Sequence, residues 1–117
     1  MGELILVLLH SATNAHILHL QTKSFSEHSA LGGFDEAMPG LVDSLVEAIQ
    51  GMTGEIIQYP ADYYPPLENG LEELESLKEY FDSERRSQLP KDTQIQNIAD
   101  EISQLIDSTL YKLRFLK

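Results

Sequence analysis

The sequence contains no cysteine and no tryptophan. Without cysteine the chain forms no disulfide scaffold, thiolate zinc site or iron–sulfur cluster, and it has no thiol nucleophile. Long apolar runs are also absent. The longest is 4–9, whereas a membrane-spanning helix needs about 20 apolar residues. The first residues carry neither a basic cluster nor a small-residue cleavage motif. We therefore expect a soluble, cytoplasmic protein without a membrane partner.

Basic residues are scarce. The chain has 8 lysines and arginines against 19 aspartates and glutamates, which gives a formal net charge of −11. Such a surface repels phosphate backbones and anionic lipid, so we expect no direct nucleic-acid binding. No glycine-rich phosphate loop or nucleophile motif is present either, since Gly32-Gly33 is too short a signal. The negative charge favours the binding of cations or of a basic protein partner.

With 117 residues, of which 42% are hydrophobic, the chain has the size of one domain, 1–117. Apolar residues recur at helical spacing in four segments. These segments are 3–23, 26–50, 67–87 and 93–115. Turn-forming residues fill 53–68, and Leu89-Pro90 marks another break. We therefore predict an all-α fold, an antiparallel four-helix bundle.

The second helix contains Pro39 and is followed by Gly51. Because proline lacks an N–H donor and clashes with the preceding turn, Pro39 is expected to kink or break the helix. Gly51 is a normal stop signal after residue 50. Whether the helix continues through Pro39 decides which of its side chains can meet.

Residues suited to metal binding cluster in the first two helices. His16 and His19 share one face of the first helix, and His28 opens the second. Asp43 and Glu47 share one face of the second helix. Imidazole with carboxylate suits iron, zinc or manganese. The alternative is that the two carboxylates are the polar face of an amphipathic helix and the histidines are hydrogen-bonded structural residues.

The distance between these groups limits how a site could form. His28 and Asp43 are 15 residues apart, which is about 22 Å along a continuous helix. One chain could not then close a site with both. Two chains could, if their second helices pack antiparallel about a two-fold axis, so we expect a homo-oligomer with a two-fold dimer. A sharp break at Pro39 would change this prediction.

At these residues the sequence resembles the first half of Dps-type ferritins. The matching features are the run His16-Ile-Leu-His19-Leu-Gln-Thr-Lys23, His28, Phe34-Asp35-Glu36, Asp43 and Glu47. The resemblance implies Fe(II) binding and oxidation at a two-fold interface, with histidines from one subunit and the carboxylates from its partner. By spacing to His28 the first ligand is His16, and by local motif it is His19, so both remain candidates.

The chain is also similar to small ferritin-like proteins of tailed phages, whose function is unassigned, in the stretch from His19 to Ser24. For a phage protein the location would be the host cytoplasm or the virion. Leu20 stands where Dps proteins have tryptophan, and the basic N-terminal arm of some members is missing. The alternative function is therefore a non-enzymatic bundle protein that binds a host protein or a small molecule, or that acts within an assembly.

Overall fold

The computed structural model describes residues 1–117 and contains only α-helices as regular structure. The four helices are α1 (Gly2–Gln21), α2 (Phe25–Thr53), α3 (Gly70–Gln88) and α4 (Thr93–Phe115). This confirms the predicted all-α class, and α4 has its predicted bounds. Apolar side chains from all four helices form one continuous buried core. No helix is both long enough and apolar enough to cross a bilayer.

Polar side chains begin α2 and α3. The Ser24 hydroxyl accepts a hydrogen bond from the Glu27 N–H at 3.2 Å. The Asn69 side chain accepts from the Glu72 N–H at 2.9 Å. Each bond satisfies one of the N–H groups that a helix start leaves without a partner. The connection between α1 and α2 consists of residues 22–24 only, so the two helices meet at a tight corner.

The sequence predicted a kink or a break at Pro39, and helix α2 continues through this residue, so the helix is not broken there. The neighbouring Met38 and Val42 are buried, whereas Pro39 is exposed. The ring therefore lies on the solvent side, where water can satisfy the carbonyl that loses its N–H partner. The predicted stop at Gly51 was wrong. The helix ends at Thr53, because Gly54 adopts the left-handed conformation (φ 72°) that glycine tolerates best.

The connection between α2 and α3, residues 54–69, is much longer than the other two. Near its start, the Gln58 carbonyl approaches Gly2 so closely that a side chain at residue 2 would collide with it. At its end, the Gly70 N–H donates to the Glu27 carboxylate at 2.9 Å. The connection therefore runs along α1 and starts α3 at the end of the bundle where α2 begins.

Three ion pairs join α3 to α4 on the surface. They are Glu75–Arg114 (3.0 Å), Lys78–Asp107 (2.6 Å) and Arg85–Asp100 (2.8 Å). Residue numbers rise along α3 as they fall along α4, so these two helices run in opposite directions. Exposed pairs of this kind contribute little stability each.

Candidate metal centre at the α1–α2 corner

His19 and His28 face each other where α1 ends and α2 begins. Their rings stack with centroids 3.8 Å apart and planes 20° apart. The His19 Nδ1 lies 2.7 Å from the His28 carbonyl oxygen, and the His28 Nδ1 lies 2.9 Å from the His19 carbonyl oxygen. Both side chains are half-buried. The pair is thus held by two reciprocal hydrogen bonds.

These bonds determine which nitrogen of each ring carries the proton. A carbonyl oxygen can only accept, so each Nδ1 must donate an N–H. In a neutral imidazole the lone pair is then on Nε2. Neither Nε2 has a hydrogen-bond partner within the chain. Metal-binding histidines are commonly oriented in this way, with the second nitrogen donating to a carbonyl or carboxylate. His19 and His28 therefore present two oriented donor atoms.

Gly32 leaves the space that the His19 ring occupies. A Cβ on Gly32 would lie 2.9 Å from the His19 Cε1 and 3.0 Å from its Nδ1. Sequence reasoning missed this role, because a glycine within a helix gives no sign of which neighbour it contacts. At Gly33 a Cβ would meet nothing within 4 Å. Only the first glycine of the pair therefore matters for the histidines.

His16 lies beside the pair but has a different partner. Its ring centroid is 5.6 Å from that of His19, and its Nδ1 lies 3.1 Å from the Asp35 carboxylate. The His16 side chain is 57% exposed. The structure thus brings His16, His19 and His28 to one corner of the bundle. The fourth histidine, His10, lies elsewhere on α1, where it packs edge-on against a tyrosine ring.

Asp43 and Glu47 lie on the exposed surface of α2 and not at this corner. Because α2 is continuous, Asp43 is about 22 Å along the helix axis from His28 of the same chain. The chain contains no group of three or more histidine, aspartate or glutamate side chains arranged to hold one ion. Asp43 and Glu47 could therefore approach His19 and His28 only from another molecule.

Two further hydrogen bonds, both accepted by the Glu27 carboxylate, hold the α1–α2 corner in place. The Thr22 hydroxyl donates to one Glu27 carboxylate oxygen at 2.9 Å, and the other oxygen accepts from the Gly70 N–H. A carboxylate at the start of α3 also complements the positive end of the helix dipole. Glu27 thus ties the α1–α2 corner to α3 and limits the movement of the adjacent histidines.

No curated protein and no solved structure matches this sequence. A family of unknown function, DUF5856, matches residues 19–113. The matched region includes His19, His28, Asp43 and Glu47, and it begins after His16. Since the match spans most of the chain, the protein belongs to the DUF5856 family of unknown function.

Proposed function

We propose that this chain is a ferritin-like protein that binds Fe(II) at a two-fold interface between two copies and oxidises it with dioxygen. The observation that carries the proposal is the reciprocal pairing of His19 and His28, which orients both rings and leaves both Nε2 atoms free. His16, held by Asp35, is the alternative nitrogen ligand.

The oxygen ligands in this proposal are Asp43 and Glu47 of a second copy. The uninterrupted α2 supports this arrangement, because two such helices packed antiparallel about a two-fold axis would put His28 of one copy opposite Asp43 of the other. Symmetry would then create two equivalent sites. Both carboxylates are exposed and make no hydrogen bond or ion pair within the chain, so both are free to ligate.

The connectivity is a second, independent support. One long crossover between two short connections is typical of ferritin-like bundles. Here residues 54–69 form the long connection, and the connections at 22–24 and 89–92 are short. The net charge of −11 would also concentrate divalent cations around the protein. Iron is proposed from the resemblance to Dps-type ferritins, and zinc and manganese suit the same ligands.

Anaerobic loading with Fe(II), followed by admission of oxygen, tests the proposal. We expect the ultraviolet absorbance of Fe(III) to rise faster than in protein-free buffer. His28→Ala and His19→Ala should abolish this excess rate, whereas His10→Ala, which alters a histidine outside the corner, should keep it. A wild-type rate equal to that of buffer would contradict iron oxidation. Calorimetric titration with Fe(II), Zn(II) and Mn(II) under nitrogen tests binding separately.

A second candidate is a non-enzymatic protein that acts through a protein partner or within an assembly. The observation that favours it is the exposure of Phe25 and Phe115, at 83% and 71%. Large apolar side chains exposed to this degree are candidate contacts for a partner. Light scattering on metal-free protein would test this candidate. A mass above one chain that falls in Phe25→Ser supports it, and a monomeric mass in both proteins contradicts self-assembly through this side chain.

A further inference from the structure

The chain contains a single Asn-Gly sequence, Asn69-Gly70, where the long connection enters α3. The Asn69 side chain accepts a hydrogen bond from the Glu72 N–H at 2.9 Å and so begins the helix. Gly70 is buried, and a Cβ there would lie 3.0 Å from the Glu27 carboxylate and 3.0 Å from the Leu31 side chain. The packing of α3 against α2 thus requires glycine at 70, while the helix start favours asparagine at 69.

An asparagine followed by glycine is also prone to deamidation, because glycine has no side chain to shield its N–H. In this reaction the Gly70 nitrogen loses its proton to hydroxide and forms a bond to the Asn69 Cγ. The bond between Cγ and the side-chain amide nitrogen breaks, and ammonia leaves after taking a proton from water. The cyclic imide that remains takes up one water molecule and opens to aspartate or isoaspartate. Water and hydroxide are therefore the only other reactants.

The folded chain opposes this reaction through the bonds around Gly70. The Gly70 N–H donates to the Glu27 carboxylate at 2.9 Å, so loss of its proton would leave a negative nitrogen beside a negative oxygen. The Asn69 side chain is held by the Glu72 N–H, and its backbone is extended, with ψ 173°. Closure of the imide ring requires rotation about this backbone bond, which turns the Gly70 N–H away from Glu27. The joint is thus unreactive while these bonds last.

The bond between Gly70 and Glu27 depends on the α1–α2 corner, because the Thr22 hydroxyl holds the second Glu27 oxygen at 2.9 Å. On the other side of the joint, residues 54–69 are mostly exposed, so little packing holds Asn69 beyond its own bond to α3. Local opening of such a segment costs less free energy than unfolding of the whole chain. A brief separation of the α3 start from Glu27 therefore makes the Asn69-Gly70 sequence reactive.

We propose that Asn69 is a modification site that deamidates when the Gly70 N–H leaves the Glu27 carboxylate. Aspartate at residue 69 can still cap α3, since aspartate and asparagine serve equally well at this position. Isoaspartate adds one atom to the main chain, so the bonds to Glu27 and Glu72 no longer form together. Glu27 therefore protects the joint, and formation of isoaspartate separates α3 from the α1–α2 corner irreversibly. The site does not depend on the proposed metal centre.

Peptide mass spectrometry after incubation in mildly alkaline buffer tests the proposal. Deamidation is read from the mass gained when NH2 is replaced by OH, and fragmentation distinguishes isoaspartate from aspartate. In denaturing urea Asn69 should react faster than Asn97, which precedes isoleucine. In the folded wild type Asn69 should react at least about ten-fold more slowly than in urea, as the loss of a hydrogen bond to a charged group implies. Equal rates in both states, or no reaction of Asn69 in urea, would overturn the proposal.

Variants test the protecting role of Glu27. In the folded chain Glu27→Ala removes the acceptor of the Gly70 N–H and should raise the rate of deamidation about ten-fold. Thr22→Val releases only the second carboxylate oxygen and should raise the rate by a smaller factor. Circular dichroism shows whether each variant is folded during the assay, and Thr22→Val decides the question if Glu27→Ala is not. A wild-type rate in every folded variant would contradict the protecting role.

Two control variants separate this role from other causes. Glu68→Ala removes an exposed carboxylate next to Asn69 in the sequence, and the rate should not change if local charge is unimportant. Ile106→Val weakens the buried core on α4 without altering the joint, and it should also leave the rate unchanged. If either control accelerates deamidation as much as Glu27→Ala does, then local charge or global unfolding controls the reaction and the proposal is wrong.

Discussion

The His19 and His28 rings stack 3.8 Å apart, and each ring donates a hydrogen bond to the main-chain carbonyl of the other residue. The His19 carbonyl lies in the last turn of α1, where helix carbonyls lack their usual partners. His28 therefore caps α1, while its own position is fixed by His19. One pair of residues thus closes the α1–α2 corner and presents two free Nε2 atoms to solvent.

If the metal site is shared between copies, two inactive variants should restore activity when mixed. His28→Ala lacks the nitrogen ligand, and a Glu47→Ala chain lacks an oxygen ligand, so neither variant alone forms a complete site. A mixed dimer has one site with wild-type residues from both copies. With random pairing we expect roughly a quarter of the wild-type number of sites to return.

The measurement is the Fe(II) oxidation rate after the two variants are unfolded together and refolded. The control mixes His28→Ala with His19→Ala, since in this mixed dimer each site still lacks one histidine. Recovery in the first mixture alone supports a shared site. If neither mixture recovers although mixed dimers are detected by mass, the carboxylates do not come from the partner.

Gly32→Ala should raise the free energy of unfolding less than Gly33→Ala does. Both positions lie within α2, where alanine is preferred over glycine by about 1 kcal/mol. A Cβ at residue 32 displaces the His19 ring and breaks its bond to the His28 carbonyl, which costs about 1 kcal/mol. Urea denaturation should show a higher free energy of unfolding for Gly33→Ala and almost no gain for Gly32→Ala. Equal gains would mean that the ring moves freely.

Asn14→Ala should loosen the long connection. The variant removes the partner of the Tyr63 hydroxyl and of the Tyr64 carbonyl, and we expect a loss of about 1–2 kcal/mol in the free energy of unfolding. Limited proteolysis should cut within 54–69 faster than in the wild type. Asn97→Ala, an exposed residue on α4, is the control and should change stability by less than about 0.5 kcal/mol. Unchanged proteolysis in Asn14→Ala would contradict this role.

Stability at alkaline pH should depend on Tyr80. Its pKa in the folded state is raised above the ordinary value near 10, so the folded state holds the phenol proton more tightly than the unfolded chain does. The associated stability is complete below pH 10 and is lost as pH rises through the raised pKa. Urea denaturation at pH 8 to 11 should therefore show a smaller loss for Tyr80→Phe than for the wild type. In absorbance titrations at 295 nm, one of the five tyrosines should ionise late.

Helical periodicity by itself determined the all-α class and the number of helices, because apolar residues at helical spacing must be buried on one side. The bounds of α4 follow from the break at Leu89-Pro90 and the apolar stripe after it. The boundary at Gly51 was wrong because sequence does not show which of several glycines takes the left-handed conformation. The sequence left open whether Pro39 breaks α2, because the effect of a proline depends on whether its ring faces solvent or core.

For the candidate site, too, the sequence determined one part and the tertiary structure determined the other. Sequence spacing selected the five residues His16, His19, His28, Asp43 and Glu47 and separated the carboxylates from the histidines along α2. It left both His16 and His19 as candidates, because the spacing to His28 favoured His16 and the local motif favoured His19. Only the tertiary structure placed His19 against His28, because that contact depends on the short 22–24 connection and on the missing side chain at Gly32. Long-range packing of this kind has no local pattern in the chain.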